Sequence, residues 1–119
     1  MKYDVQEQGR VVVLALEGNI LGGPDGTKLH DRLHELKDAG KRHVVVDLSG
    51  VRFMNSSGLG MLISAMTTMR NAGGDFRLAG MGAGLRSLLV ITRLDTVFKH
   101  YESVDEAVAS YEEDPPSPA

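Results

Sequence analysis

Three short aliphatic runs, separated by segments of helical periodicity, constrain the fold of this 119-residue chain most strongly. The runs at residues 11–16, 44–46 and 76–80 are rich in aliphatic and β-branched residues, as in strands covered on both faces. Strands that alternate with helices form largely parallel or mixed sheets with right-handed crossovers. The pattern therefore predicts an α/β fold in which sites lie where the strands end.

Apolar residues at helical spacing predict four helices. Their predicted limits are from near Thr27 to Gly40, from near Ser56 to Ala72, 85–91 and 105–111. Ser103, with Glu106 three residues later, has the pattern of a capping box at the start of the last helix. On the second helix, the periodicity places Met61 on the outward side.

Two weaker runs predict edge strands. Residues 3–8 are expected to pair antiparallel with the first aliphatic run through a turn at Gly9, and residues 97–98 are expected to form a short edge strand. With no internal repeat, residues 1–111 are predicted to form one domain. Residues 112–119 are acidic and proline-rich, which predicts a disordered tail.

Composition narrows the class of protein. The net charge is −3, aromatic residues make up 5% of the chain, and cysteine is absent, so we expect no nucleic-acid partner and no thiol chemistry. The sequence has no signal-peptide region and no apolar stretch of membrane-spanning length, which predicts a cytoplasmic protein without a membrane partner. A protein or a small ligand is the expected partner.

The segment at residues 47–60 carries the most specific signal, because an aliphatic strand ends there and two hydroxyls follow at a helix start. Asn55 or Ser56 suits a helix cap, and capping alone would explain both. Alternatively, Ser56 or Ser57 accepts a phosphate, which backbone N–H groups at a helix start would tolerate but which would repel or block a docked partner. The helical periodicity does not choose between the two serines.

Other chemistries lack their motifs. The nucleophile pattern Gly-x-Ser-x-Gly is absent and no histidine is an evident base, so we predict that the chain is not an enzyme. His30 and His34 share a helix face without a metal-site signature, and the glycine loop at 80–84 lacks a phosphate-binding ending. We therefore expect no metal and no cofactor, with a nucleotide-binding module as the weakest alternative.

Two stretches resemble a known family. Asp47-Leu48-Ser49-x-Val51-x-Phe53-Met54-x-Ser56-Ser57-Gly58-Leu59-Gly60 is similar to the signature loop of STAS-domain anti-sigma-factor antagonists. The stretch Leu88-Leu89-x-x-Thr92-x-Leu94-Asp95-x-Val97-Phe98, followed by Tyr101-x-Ser103-x-x-Glu106-Ala107, resembles the C-terminal half of that family. The likeness covers residues 3–111.

The resemblance implies a single STAS-like domain with a four- to five-stranded mixed sheet packed against about four to five helices. It also implies a partner, an anti-sigma factor that is a serine kinase of the histidine-kinase-like ATPase type, whose capture frees a sigma factor. Phosphorylation directly after the family's usual aspartate abolishes binding, and a serine phosphatase restores it. That position is Ser56 here.

The expected partner-binding residues surround this acceptor. They are Asn19, Leu21, Met54, Asn55, Ser56, Ser57, Gly58 and Gly60. The chain departs from the family pattern at Asn55, where aspartate is usual, at residues 18–21, where many members carry Gly-Glu-x-Asp, and at Arg93, where glycine is common. The alternative function is a STAS subunit that is not phosphorylated and docks permanently, for example in a lipid-transport ABC system.

Overall fold

The structure, a computed structural model, describes residues 1–113 and contains five strands, four α-helices and one short 3-10 helix. The strands are β1 (Lys2–Gln8), β2 (Val11–Ile20), β3 (His43–Met54), β4 (Asp75–Ala79) and β5 (His100–Tyr101). The helices are α1 (Pro24–Asp38), α2 (Ser56–Asn71), α3 (Ala83–Ile91) and α4 (Val104–Glu113), and the 3-10 turn spans Leu94–Thr96. The chain therefore has the α/β architecture that the aliphatic runs predict.

The five strands form one mixed sheet in the order β1-β2-β3-β4-β5. β1 runs antiparallel to β2 through the predicted turn at Gly9, and the other neighbouring pairs are parallel. β2 and β3 pair as far as Ile20 and Met54, whereas β4 pairs with β3 only as far as Asp47. The ends of β2 and β3 thus extend beyond the rest of the sheet and carry the start of α2.

The two faces of the sheet are covered differently. Helices α1, α2 and α3 pack on one face and bury a large apolar cluster that includes Leu14, Val46 and Leu62. On the other face, α4 alone covers a smaller cluster around Val45 and Val108. Val45 and Val46 are neighbours on β3 but belong to different clusters, because the pleat of a strand directs successive side chains to opposite faces.

Polar contacts hold α4 against the sheet. The Tyr111 hydroxyl donates to the carbonyl of Val44 at 2.7 Å. The guanidinium of Arg77 lies 3.9 Å from the centre of the Tyr111 ring and donates to the Ser110 hydroxyl at 2.6 Å. Asp75 accepts a further bond from Arg77 at 3.0 Å. The smaller apolar face is thus supplemented by a charged and hydrogen-bonded contact.

Three local predictions are wrong. The edge strand lies at His100–Tyr101 rather than at residues 97–98, because residues 100 and 101 pair with the end of β4 and Phe98 is buried in the core. Met61 faces inward, since α1 packs against α2 there and its side chain lies 3.5 Å from where a Cβ on Gly26 would stand. The tail boundary at residue 112 is also misplaced, because α4 continues to Glu113.

The end of β3 is also mispredicted: the sequence predicts a loop after about residue 48, whereas β3 continues to Met54 because its end pairs with β2 as far as Ile20. The remaining element predictions hold within a few residues. α1 begins earlier than expected, at Pro24, where proline fits the first turn because its missing N–H is not needed. Ser103 caps α4 as predicted, accepting a bond from the N–H of Glu106 at 3.1 Å. Residues 114–119, the rest of the predicted tail, lie outside the described residues.

Candidate functional site

Asn55 caps helix α2 at the point where β3 ends. Its backbone is extended, and its side-chain oxygen accepts a hydrogen bond from the N–H of Gly58 at 2.8 Å. Since Asn55 supplies the cap, neither serine is needed for it. Capping therefore explains Asn55 and leaves the hydroxyls of Ser56 and Ser57 without that role.

Ser56 and Ser57 are both exposed on the first turn of α2. This turn carries no acidic residue, so the positive end of the helix dipole is not neutralised by a side chain of the helix. The backbone N–H groups of the first turn have no intrahelical acceptor, which favours a negatively charged group at this end.

The two serines differ in their neighbours. A Cβ placed on Gly22 would lie 2.8 Å from the Cβ of Ser57, so the loop after β2 packs directly against Ser57. Gly22 has a φ of +80°, a conformation that side chains other than glycine rarely adopt. Ser57 thus has a close neighbour on one side. Because both serines are exposed, their exposure does not distinguish which of them would accept a phosphate.

Gly58 brings the end of β2 against the start of α2. A Cβ at Gly58 would lie 2.1 Å from the carbonyl oxygen of Ile20, a distance that no side chain can occupy. The same carbonyl accepts a hydrogen bond from the N–H of Asn55 at 3.3 Å. In contrast, a Cβ at Gly60 would meet no atom within 4 Å. The two glycines of the motif therefore serve different purposes, close packing at Gly58 and an open surface at Gly60.

The expected partner-binding residues lie at this end of the sheet, but two of them, Met54 and Gly58, are buried. Asn19 and Leu21 are exposed beside the first turn of α2. Met54 is only 6% exposed and packs in the core, so its side chain offers almost no surface to a partner. Its neighbour Phe53 is 53% exposed and lies opposite Asn19 in the sheet register.

Sequence reasoning missed Phe53 as a surface residue. Two register shifts between β2 and β3, one between Ala15 and Glu17 and one between Gly18 and Asn19, disrupt the regular alternation of β3. The available signal was the glycine at residue 50 within a strand, because glycine inside a strand pattern often marks such an irregularity.

A groove of about 420 Å³ runs between α1 and α2 and reaches the candidate site at Ser57. Its walls include His30 and Ser64, and Met61 contributes to its floor. The His30 and His34 rings contact each other with centroids 4.3 Å apart and their planes tilted by 59°. Among residues 1–113, no group of three or more metal-ligating side chains comes together.

The glycine loop after β4 has a packing explanation. Gly80 has a φ of +72°, and a Cβ there would lie 3.0 Å from a carboxylate oxygen of Asp47 and 3.2 Å from the Cβ of Ser49. The loop therefore needs glycine to pass close to β3. No helix in the described part of the chain is long and apolar enough to cross a membrane.

The fold and this strand-to-helix site define a family. Residues 2–107 match the sequence profile of the STAS domain, and the chain belongs to the STAS domain family. This confirms the family resemblance drawn from residues 47–60 and from the C-terminal half.

Two relatives carry names that assign them to the anti-sigma factor antagonists. One, from Thermotoga neapolitana, is 28% identical over 74 residues, which span 62% of this chain and 66% of that protein. The other, from Thermotoga maritima, is 27% identical over the same shares of both chains. The matched segment thus spans just under two thirds of the length of these relatives.

Solved structures share the fold. A protein described as an anti-sigma factor antagonist from Mycobacterium paratuberculosis superposes with a TM-score of 0.80 at 24% identity, over 94% of each chain. The anti-sigma factor antagonist SpoIIAA in its unphosphorylated form superposes with a TM-score of 0.74 at 16% identity, over 95% of this chain and 100% of SpoIIAA. SpoIIAA of Bacillus has also been solved in a phosphorylated form, with a TM-score of 0.71 at 17% identity, over 92% of this chain and 99% of that one. At these identities the likeness shows the fold.

Proposed function

We propose that this STAS domain is an anti-sigma-factor antagonist controlled by phosphorylation of Ser56. In its unmodified form it binds an anti-sigma factor and thereby releases a sigma factor for transcription. The bound anti-sigma factor is a serine kinase of the histidine-kinase-like ATPase type, which phosphorylates Ser56 and ends the interaction, and a serine phosphatase reverses the modification. The domain itself catalyses no reaction and acts in the cytoplasm, where sigma factors act.

One observation carries this proposal: Ser56 is exposed on the first turn of α2 while Asn55 supplies the helix cap. Phosphorylation of Ser56 therefore breaks no hydrogen bond that holds the helix. A phosphoryl group adds about −1.5 to −2 charges at neutral pH, and the first turn of α2 has no carboxylate to repel it. The fold can accept the modification, so its effect falls on the partner.

The choice of Ser56 over Ser57 comes from family resemblance rather than from exposure. Ser57 packs against Gly22 of the loop after β2, so a kinase would approach it beside that loop. Ser56 directly follows the cap residue. The names of the two Thermotoga relatives support the antagonist assignment.

Asn55 is compatible with this function because asparagine and aspartate cap helices about equally well. Its amide is neutral, so the surface lacks a negative charge that most members carry beside the acceptor. An incoming phosphate therefore meets less repulsion here, and a partner kinase must recognise a neutral cap. This difference is expected to restrict which anti-sigma factor binds.

The test is a set of titrations with purified histidine-kinase-like anti-sigma factors from the source organism. Wild type and Ser56→Ala are expected to bind one of them with equal affinity, whereas Ser56→Asp weakens that binding at least tenfold. Ser57→Asp is the matched control, and it is expected to weaken binding less than Ser56→Asp. Equal affinities of wild type, Ser56→Ala and Ser56→Asp would contradict the switch and favour the permanently docked STAS subunit.

A further inference from the structure

Two histidines form a pair on one side of helix α1. His30 is exposed and His34 is half-buried, and they lie four residues apart, so they are neighbours on the helix surface. Their rings contact each other, with centroids 4.3 Å apart and planes tilted by 59°. The lack of a zinc motif in the sequence predicts no metal here, but a sequence does not show whether two side chains meet. The structure shows that these two do.

The helix that carries the pair is packed firmly on the sheet. Leu29 and Leu33, which directly precede the two histidines, are 0% exposed and belong to the large apolar cluster. The helix and its packing therefore fix the two histidine backbones relative to each other. Because the rings are already in contact, holding them together costs less side-chain entropy than bringing two separate side chains together. The pair is thus preorganised to bind one ligand with both rings.

The imidazole nitrogens of the pair are not used by the protein. Within residues 1–113, neither imidazole forms a hydrogen bond or an ion pair with another residue. Imidazole is the commonest metal ligand among side chains, and it coordinates through Nδ1 or Nε2. In helical zinc sites, two histidines at this same spacing bind one ion. His30 and His34 therefore have the spacing and the available nitrogens of a two-ligand chelate.

The surroundings leave room for the rest of a coordination sphere. His30 lines the groove of about 420 Å³ between α1 and α2, together with the hydroxyl-bearing residues Thr27 and Ser64. The groove is open to solvent, so water can take the coordination positions that the two rings leave vacant. No third metal-ligating side chain joins the pair within residues 1–113. A metal ion bound here would therefore keep several positions for water or for a small ligand.

We propose that His30 and His34 form a surface site for a divalent transition-metal ion, for which zinc is the probe. Imidazole ligands suit zinc, copper and nickel, whereas magnesium and calcium prefer oxygen ligands, which the two rings do not supply. A bound ion ties two successive turns of α1 together and so stabilises the folded chain. The site concerns α1 and does not depend on the proposed function.

The experiment follows thermal unfolding of the purified protein with and without a divalent chloride. Zinc at about 1 mM is expected to raise the midpoint by at least about 2 °C, because the ion binds the folded chain. Magnesium or calcium at the same concentration should leave the midpoint unchanged. His30→Ala and His34→Ala should each lose the zinc-dependent shift. Without zinc, both variants should unfold close to wild type, since alanine is a good helix former.

Two matched controls test the pair against the mere presence of histidine. His100→Ala, at an exposed position on β5, is expected to keep the zinc-dependent shift. The double variant His34→Ala with Lys28→His keeps four histidines but places two of them at a spacing of two residues, where they do not face each other. Titration calorimetry should find its zinc affinity at least tenfold below that of wild type. Because this variant also loses a positive charge, electrostatic repulsion cannot cause the loss.

Nuclear magnetic resonance of the imidazole rings locates the ion directly. Zinc should shift the ring signals of His30 and His34 and leave those of His43 and His100 in place. A wild-type protein without a zinc-dependent shift overturns the site, as does a His30→Ala or His34→Ala variant that binds zinc within twofold of wild type. Movement of the His43 or His100 signals alone would also overturn it. The Ser56 variants test the antagonist function separately and should bind zinc like wild type.

Discussion

Helices α2 and α4 begin with the same capping chemistry but differ in everything around it. Asn55 accepts a bond from Gly58, and Ser103 accepts one from Glu106 in the corresponding position three residues later. The first turn of α4 already contains Asp105 and Glu106, whereas the first turn of α2 contains no acid. The capping serine of α4 is half-buried and engaged, while the two serines of α2 follow the cap and are exposed.

This difference shows that a serine near a helix start becomes a candidate switch only when another residue supplies the cap. At α4, adding a phosphate to Ser103 would remove a cap and place negative charge beside two carboxylates. At α2, the added charge meets N–H groups and no carboxylate of the helix. The two regions are also secured differently, since α2 relies on close backbone packing and α4 on polar contacts.

The largest expected effect on stability comes from disrupting the close packing at the start of α2. Gly58→Ala places a methyl group 2.1 Å from the carbonyl of Ile20, so the end of β2 or the helix must move, at a cost of about 2 to 3 kcal/mol of unfolding free energy. Gly60→Ala, on the same helix with no atom within 4 Å, is expected to be neutral or stabilising by up to about 1 kcal/mol. Urea unfolding of both variants checks the pair, and equal stabilities would contradict the close-packing role of Gly58.

The next effect concerns the polar contacts under α4. Burial alone raises the pKa of Asp75, but hydrogen bonds from the N–H of Phe76 and from Arg77 and Arg70 outweigh burial and lower that pKa below its ordinary value of 3.8. The stabilisation is therefore present above that value and is lost as the pH falls through the lowered pKa. Asp75→Asn should cost about 2 kcal/mol at neutral pH.

The pH dependence provides the check on Asp75. Urea unfolding of wild type between about pH 5 and about pH 3 should show stability falling as the pH falls, and Asp75→Asn should flatten this dependence. Asp4→Asn, at an exposed position on β1, is the control and should leave it nearly unchanged. If Asp75→Asn kept the wild-type dependence of stability on pH, the result would argue against a lowered pKa at Asp75.

The two caps themselves are expected to contribute similarly to stability and differently to binding. Asn55→Ala and Ser103→Ala should each lower the unfolding free energy by about 1 kcal/mol, because each removes one side-chain acceptor at a helix start. Only Asn55→Ala should also weaken binding of the anti-sigma factor. Equal losses of affinity in the two variants would remove the distinction between the helix starts.

The smallest effect sharpens the electrostatic part of the comparison. Ser56→Asp should raise the unfolding free energy by about 0.3 to 1 kcal/mol, because it adds a negative charge at a helix start that lacks one. The gain should shrink when salt is added, since the interaction is exposed and screened. A destabilised Ser56→Asp at low salt would show that this turn does not accept negative charge.

Much of this arrangement could be predicted from the sequence because the signals are local. The cap at Ser103 and the start of α2 depend on a few adjacent residues. Gly50 signals an irregularity in β3, but it does not predict that Phe53 is exposed and Met54 buried, because the position of the register shifts depends on the pairing of β3 with β2. The inward position of Met61 depends on α1, and an edge strand of two residues is too short to give a pattern.

The central claim is that phosphorylation of Ser56 controls partner binding. It is tested most directly by incubating the purified protein with ATP and the anti-sigma kinase that binds it, and then locating the phosphate. Mass spectrometry should find one phosphoryl group on Ser56, and the phosphorylated protein should bind the kinase at least tenfold more weakly than the unmodified protein. A phosphate confined to Ser57, or none on either serine, would contradict the claim, as would a protein phosphorylated on Ser56 that binds with undiminished affinity.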